Sequence, residues 1–200
     1  MIAAAIGLRA HSGWAALVSV LGPVSSPTVV TRKRLVIADP AFPGSKQPFH
    51  FVESMSLSEA SAIVARCWKS SIELAAAALA EEKRQLAEKG FDARTCGVLL
   101  GRTTEMPALE KILRAHPLLH TAEGILFRQV CVMAAEACGM RVECVPEFGL
   151  EERASEQLCL SRDALMPRLT EMGRGLGSPW TVDQKYSTAA AWLALAAQRV

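Results

Sequence analysis

Three apolar, strand-like runs separated by short turns occupy the N-terminal part of the chain. Val, Ile, Leu and Thr are frequent in these runs, as is typical of β-strands, whereas Gly, Pro and Ser cluster between them. The runs lie at residues 2–9, 14–21 and 28–38. Because strands joined by such short turns pair with their chain neighbours in opposite directions, the pattern predicts an antiparallel three-stranded meander.

Helical patterns alternate with two further short apolar runs in the rest of the chain. Residues 39–51 contain three prolines and are predicted to be a loop. The first helix is predicted to begin at Ser56, because Ser56 and Glu59 have the spacing of a capping box, and to end at Lys89. Strands are predicted at residues 94–101 and 140–145, and helices at residues 107–115, 121–138, 150–172 and 182–198. This order, β-β-β-α-β-α-β-α with a last helix, predicts an α/β fold in which helices flank a mixed five-stranded sheet.

The composition is that of a folded globular chain. Half of the residues are hydrophobic and 21% are charged, which excludes a disordered or low-complexity chain. At this length we expect a single α/β domain over residues 1–200. The 22 basic and 20 acidic residues nearly balance, so the whole surface is not that of a nucleic-acid binder, although a local basic patch is compatible with this charge.

The cysteines and the N-terminus indicate a cytoplasmic protein. Six cysteines occur without a C-x-x-C pair and inside apolar runs. We therefore expect small buried side chains in a reducing compartment, rather than disulfides or a zinc ribbon. Residues 1–24 lack the basic start of a signal peptide. The alanine-rich end is too short to span a bilayer, so no membrane partner is predicted.

The first hairpin and the last helix resemble parts of a known family. Residues 7–15, GLRAHSGWA, are similar to the opening hairpin of Holliday-junction resolvases, and residues 190–196, AAWLALA, resemble their alanine-rich closing helix. The element order is also that of the ribonuclease-H-like superfamily. The resemblance implies a ribonuclease-H-like fold. Enzymes of that superfamily hold two divalent metals around a phosphate, between acidic side chains on adjacent strands.

The acidic positions that this resemblance implies carry other residues here. Arg9 stands at the strand-one position, Arg102 lies near the strand-four position, and residues 189–191 are alanines where the closing helix would carry an aspartate. We therefore predict a non-nucleolytic domain. It would bind a phosphate- or carboxylate-bearing ligand, a small molecule or nucleic acid, at the strand ends. The predicted ligand-binding residues are Arg9, His11, Arg102 and Lys185.

A hydrolase or nuclease is the alternative function. His120 and Glu123 are three residues apart, so that their side chains could face one cleft, with His120 as a general base. Ser12 as a nucleophile, or a divalent metal, would complete such a site. A structural interpretation of the same stretch makes Thr121 the cap of the following helix. A scaffold whose polar residues are only structural is the remaining alternative.

Some features of the sequence receive no chemical role. No metal ligands are assigned, because Pro117 is expected to prevent a continuous helix through His116 and His120. No cofactor is identified. The basic triplet at residues 32–34 is compatible with a solvated edge or with contacts to a nucleic-acid backbone. The alanine-rich face at residues 75–80 is compatible with a homodimer or with packing against the sheet.

Overall fold

A mixed five-stranded sheet forms the centre of the computed structural model, which describes residues 1–199. The strands are β1 (Ile2–His11), β2 (Trp14–Leu21), β3 (Thr28–Val36), β4 (Phe91–Leu100) and β5 (Arg141–Pro146). They lie in the order β3-β2-β1-β4-β5. The first three strands form the predicted antiparallel meander, and β4 and β5 extend it in parallel from β1. The predicted mixed sheet is confirmed.

Seven α-helices connect and cover the strands within residues 1–199. They are α1 (Pro48–Phe51), α2 (Leu57–Glu88), α3 (Leu109–Leu113), α4 (His116–Ala137), α5 (Leu150–Leu158), α6 (Leu165–Met172) and α7 (Val182–Ala196). The predicted capping box begins α2, since the Ser56 hydroxyl accepts a hydrogen bond from the Glu59 amide and the Glu59 carboxylate accepts one from the Ser56 amide. Among these helices, none has both the length and the apolar character that a bilayer crossing requires.

The fourth helix begins earlier than the sequence suggests. Pro117 lies in the first turn of α4, where a proline removes no intrahelical hydrogen bond, so the helix runs continuously from His116. The expectation that Pro117 interrupts a helix through His116 and His120 is therefore wrong. Thr121 is not the cap, because its hydroxyl donates to the carbonyl of Pro117 at 3.0 Å inside the helix.

Two further segments differ from the prediction. The helix predicted over residues 150–172 is divided into α5 and α6, because Cys159 has a left-handed backbone with φ of 54° that ends α5. The predicted loop over residues 39–51 contains the short helix α1. This helix lies against α4 and brings a histidine to it.

The two faces of the sheet carry different helices. On one face, Ile6 and Leu8 of β1 pack with residues of α2 and α4 in the larger hydrophobic core. On the opposite face, α7 packs against β1, β2 and β4. A Cβ at Gly97 of β4 would lie 2.1 Å from the carbonyl oxygen of Ala190, so the absence of a side chain there lets α7 lie close to the strand. This packing fixes the start of α7 relative to the sheet.

One acidic residue of α2 is buried under the sheet edge. Glu82 belongs to a charged stretch of the sequence, yet its side chain is only 1% exposed. Its carboxylate accepts a hydrogen bond from the Ser19 hydroxyl at 2.7 Å and pairs with the Lys33 ammonium at 2.6 Å. The pair ties α2 to β2 and β3. On the same helix, Ala75 packs into the core, which corresponds to the sheet-packing alternative for residues 75–80.

The six cysteines are free thiols, but they are not all buried. Cys67, Cys96 and Cys131 lie in the interior, as expected. Burial raises the pKa of the Cys131 thiol to about 12, which keeps it protonated and unreactive. Cys144 and Cys159 are exposed, so the expectation of burial is wrong for these two.

Candidate functional site

The end of β1, the segment after β5 and the first turn of α7 meet on the α7 face of the sheet. Arg9 lies near the end of β1, Glu147 directly follows β5, and Asp183 lies in the first turn of α7. The amide of Asp183 donates to the Thr181 hydroxyl at 3.3 Å as part of a capping box, which fixes this turn. With His11, these residues form the carboxylate–arginine cluster: Arg9, His11, Glu147 and Asp183.

Arg9 bridges the two carboxylates of this cluster. Its Nε and Nη2 atoms donate to the two oxygens of Glu147 at 3.3 and 2.6 Å, and its Nη1 atom donates to Asp183 Oδ1. The Tyr186 ring lies against the Arg9 guanidinium, with the ring centre 5.2 Å from the guanidinium carbon. Partial burial opposes the charge on Arg9, but Glu147 and Asp183 outweigh this effect and raise the pKa of Arg9. The guanidinium is thus a permanent internal cation.

His11 makes the second contact to Asp183. Its Nε2 atom lies 2.8 Å from Asp183 Oδ1, and its ring stacks on Trp14 with the ring centres 4.2 Å apart. Burial of Asp183 disfavours its charged form, but hydrogen bonds from His11 and Arg9 together outweigh burial and hold the pKa of Asp183 below its ordinary value. Asp183 is therefore ionised at neutral pH and tightly paired.

A cavity of about 450 Å³ opens beside the cluster. Its lining includes Arg9 and His11 from β1, Arg102 after β4, Arg128 from α4, and Glu147. Three cations and one carboxylate therefore face the same space. Even with Asp183 counted beneath the surface, positive charge exceeds negative charge here, so the cavity favours an anion.

Two arginines of the cavity have no carboxylate partner in the described part of the chain. The Arg102 guanidinium lies 4.0 Å from the centre of the exposed Phe148 ring. Arg128 lies against two glycines, since a Cβ at Gly101 or at Gly124 would come within 2.9 Å of its guanidinium. The glycines thus leave the space that the Arg128 side chain fills. Guanidinium groups without a partner are suited to bidentate contact with a phosphate.

The structure brings three of the four predicted ligand-binding residues to this cavity, namely Arg9, His11 and Arg102. Lys185 is not among the residues that line it. The sequence interpretation assumed that the Arg9 guanidinium is free for a ligand. Instead, Arg9 is bonded to the two carboxylates of its own cluster, so a ligand would have to displace them.

Sequence reasoning missed five residues of the site, which are Arg128, Glu147, Phe148, Asp183 and Tyr186. A signal for Glu147 exists, because it follows a strand directly and the carboxyl ends of parallel strands meet at one edge. Arg128 lies inside a helix, and nothing in its spacing indicates that it turns toward the end of β4. Gly101 and Gly124 are the only local hint of its position.

The residues of the alternative catalytic set lie apart from this cavity. Glu123 is 2% exposed, and its Oε1 atom accepts a hydrogen bond from His50 Nδ1 at 2.7 Å, not from His120. The His120 ring lies beside that of His50, with centres 4.5 Å apart. Ser12 is exposed in the turn between β1 and β2, and within residues 1–199 it forms no hydrogen bond with His120 or Glu123. The structure therefore groups His120 and Glu123 with His50 rather than with Ser12.

Most of the basic triplet is used inside the fold. Arg32 donates to the carbonyl oxygens of residues 176–179, and Lys33 on the other face pairs with Glu82. Arg34 remains exposed and lies over the Trp14 ring at 3.6 Å from its centre. A continuous basic track along β3 is thus absent from the described structure, and Arg34 alone extends the positive surface near His11.

The fold is similar to that of RuvC Holliday-junction resolvases. A structure of RuvC from T. thermophilus in complex with Holliday junction substrate matches with a TM-score of 0.57 and 10% sequence identity, over 98% of this chain and 94% of that chain. A second Thermus thermophilus RuvC structure matches with a TM-score of 0.50 and 11% identity, over 100% and 96%. No family model matches the sequence. No curated protein matches it either. The chain therefore has the ribonuclease-H-like fold that the resemblance implies.

The cluster does not fit the pair of divalent metals that the resemblance implies. Glu147 and Asp183 are its only carboxylates, and the Arg9 guanidinium is bonded to both. Divalent metals such as Mg²⁺ need several oxygen ligands around one point, and an arginine cannot serve as one. Arg102 supplies a further positive charge at the neighbouring strand end. We therefore assign no metal to this cluster.

Proposed function

We propose that this chain is a non-nucleolytic ribonuclease-H-like domain that binds a phosphate-bearing nucleic acid at the ends of β1 and β4. The observation that carries the proposal is the bridge from Arg9 to Glu147 and Asp183. A guanidinium in this position neutralises the carboxylates that would otherwise attract a divalent cation. The cluster lacks the ligands that two-metal cleavage of a phosphodiester requires. The arginines of the cavity are instead suited to bind an anion.

The anion-binding groups of the proposal are Arg102 and Arg128. Both line the cavity and neither is paired with an acid in the described residues, unlike Arg9. Each guanidinium can donate two parallel hydrogen bonds to a phosphate, and the charge attraction is strongest for groups that no carboxylate already neutralises. Arg9 then acts as a positioning residue that keeps Glu147 from repelling the ligand.

A second, apolar cavity favours a nucleotide unit over inorganic phosphate. This cavity of about 420 Å³ is lined largely by α4, with Ile125 and Val132 among its residues and Leu100 at the end of β4, and Arg128 borders both cavities. A ligand with its phosphate at Arg128 can therefore place a base against apolar side chains. Proteins that bind single-stranded nucleic acid combine positive charge for the backbone with apolar or aromatic surfaces for the bases.

The structural likeness supports nucleic acid as the ligand class. One of the similar structures holds a Holliday junction as its substrate. The same sheet end that carries the cavity in this chain carries Arg9 and Arg102 in place of the acids expected from the resemblance. We propose that the fold's general location for nucleic acid is kept here while the cleavage chemistry is lost. The hydrolase alternative with Ser12 has less support, because Glu123 is turned toward His50.

Fluorescence anisotropy with labelled oligonucleotides tests this proposal. The full chain is titrated into single-stranded, duplex and four-way-junction DNA at several salt concentrations. We expect binding that weakens steeply with salt. The double variant Arg102→Ala/Arg128→Ala should bind at least tenfold more weakly, and its salt slope on duplex DNA should fall by about 1.8, since two phosphate contacts are lost. No cleavage product should form with Mg²⁺ or Mn²⁺.

Arg114→Ala is the matched control for the loss of an arginine. Arg114 is exposed directly after α3 and paired with Glu110, and it does not line the cavity. This variant should bind DNA as the unchanged protein does. Equal binding by the double variant and the unchanged protein would contradict the assignment of Arg102 and Arg128, and metal-dependent cleavage of any of the DNA substrates would contradict the non-nucleolytic function.

A further inference from the structure

We propose that His50, His116 and His120 form a binding site for one Zn²⁺ ion, on the α4 face of the sheet and separate from the carboxylate–arginine cluster. The chain has four histidines, and three of them converge at this place. Their potential ligand nitrogens all lie within 4.8 Å of one another. We call these three residues the histidine cluster.

Two helices bring the histidine cluster together. His50 comes from α1, and His116 and His120 lie one turn apart at the start of α4, on the same side of the helix. The ring centres of His50 and His120 are 4.5 Å apart, and the His116 ring lies 5.0 Å from each of them. The rings thus surround one point, and the continuous first turn around Pro117 makes this arrangement possible.

A buried carboxylate orients the first ligand. Glu123 is 2% exposed and accepts a hydrogen bond from His50 Nδ1 at 2.7 Å. This contact places the ring proton on Nδ1 and leaves Nε2 with the lone pair that a metal requires. Histidines that bind zinc commonly donate their other nitrogen to such a carboxylate, which fixes the ring and makes it a stronger ligand. No lysine or arginine within residues 1–199 pairs with Glu123, so a bound cation would offset its charge.

The ligand set selects zinc over the common hard cations. Three imidazole nitrogens suit Zn²⁺, whereas Mg²⁺ and Ca²⁺ prefer oxygen ligands. Tetrahedral binding at Zn–N distances of about 2.0–2.1 Å requires nitrogens about 3.4 Å apart. The exposed side chains of His116 and His120 can close to this spacing by rotation. The Glu53 carboxylate also lies near the histidine cluster, with its Oε1 atom 3.8 Å from His116 Nδ1.

Calorimetric titration of the metal-stripped full chain with ZnCl₂, under reducing conditions, tests the site. We expect one Zn²⁺ per chain. His116→Ala and His120→Ala should each weaken binding at least 100-fold, because each removes one ligand. Both side chains are exposed and do not support the core, so the variants should remain folded. Glu123→Gln should weaken binding about 10- to 100-fold, as is found when the carboxylate partner of a zinc-bound histidine is lost. Circular dichroism confirms that each variant is folded.

His11→Ala is the matched control, since His11 is the one histidine outside the cluster. It should bind Zn²⁺ as tightly as the unchanged protein. Substitution with Co²⁺ provides a second readout, because a tetrahedral site with nitrogen ligands gives intense visible absorption that His120→Ala should abolish. Binding should also weaken at acid pH, because only neutral imidazole binds a metal.

Three results would overturn the proposal. One is the absence of stoichiometric Zn²⁺ binding by the unchanged protein. A second is binding that survives in both His116→Ala and His120→Ala. The double variant Cys144→Ser/Cys159→Ser tests for a different source of binding, because exposed free thiols can also bind zinc. Loss of Zn²⁺ in that variant, with retention in His116→Ala, would assign the ion to the cysteines and contradict the histidine site. None of these outcomes depends on nucleic-acid binding.

Discussion

The carboxylate–arginine cluster and the histidine cluster solve the same electrostatic problem in different ways. Each contains a carboxylate that is at least partly shielded from water, and each joins the start of a helix to another element of the fold. In the first cluster the chain itself supplies the cation, Arg9. In the second, Glu123 is hydrogen-bonded within the described residues only to His50, a side chain that is neutral in its metal-binding form. The comparison indicates that the first cluster excludes a metal and the second can accept one.

Removal of the internal cation should have the largest effect on stability. In Arg9→Ala, Glu147 and Asp183 lose their common partner and face each other across the end of β1. Breaking a buried ion pair costs about 3–5 kcal/mol, and the partial exposure of these groups reduces the expected loss to about 2 kcal/mol. Urea unfolding measures this difference. Arg114→Ala, which removes an exposed pair, should cost less than about 0.5 kcal/mol, and equal losses for both variants would break the comparison.

Loss of the buried carboxylate should have the next largest effect. Glu123→Ala leaves His50 without its hydrogen-bond partner in a partly buried position and opens a small cavity under α1. We expect a loss of about 1–2 kcal/mol in urea unfolding, from one charged hydrogen bond and its packing. Glu53→Ala is the control, because Glu53 is exposed near the same histidines. A stability change that is no larger than that of the control would show that Glu123 does not anchor His50.

The carboxylate–arginine cluster should make a contribution to stability that is lost at acid pH. The pKa of Asp183 lies below its ordinary value, so its pairing stabilises the fold above the unfolded pKa of about 3.9. This contribution disappears as the pH falls through the lower folded value. The difference in unfolding free energy between the unchanged protein and Asp183→Asn should therefore be constant above about pH 5 and shrink below about pH 4. A difference that grows on acidification would contradict the pairing.

His11→Ala should have the smallest effect of the series. It removes one contact to Asp183 and the stacking on Trp14, while Arg9 keeps the carboxylate paired. We expect a loss of about 0.5–1.5 kcal/mol in unfolding free energy. A larger loss than that of Arg9→Ala would mean that His11, and not Arg9, is the main partner of Asp183.

The architecture could be predicted from the sequence because its signals are local. Turn residues separate β1, β2 and β3, and the capping box at Ser56 and Glu59 marks the start of α2. The predicted start of α4 was wrong, because a proline within a histidine-rich stretch can either end a helix or occupy its first turn. Only packing with α1 and the core decides between these outcomes. The helix end at Cys159 was not predicted for a similar reason. Nothing in the sequence indicates that a cysteine will adopt a left-handed backbone conformation.

The candidate site could be predicted only in part. Arg9 and Arg102 could be predicted as site residues, because they stand at or near positions where the resemblance implies acids. Their partners were not, because Glu147 and Asp183 reach Arg9 from elements far along the chain. The histidine cluster depends on α1, a short helix inside a proline-containing loop. Contacts of this kind follow from tertiary packing, which spacing along one chain does not contain.

Titration with Mn²⁺ tests the central claim most directly, namely that Arg9 takes the place of a divalent cation between Glu147 and Asp183. The measurement uses the His116→Ala background, so that the histidine cluster does not contribute. The protein with Arg9 should show no Mn²⁺ binding at millimolar concentration, whereas Arg9→Asp, which creates a cluster of three carboxylates, should bind one ion. Mn²⁺ binding by the protein that retains Arg9, abolished by Asp183→Asn, would contradict the account.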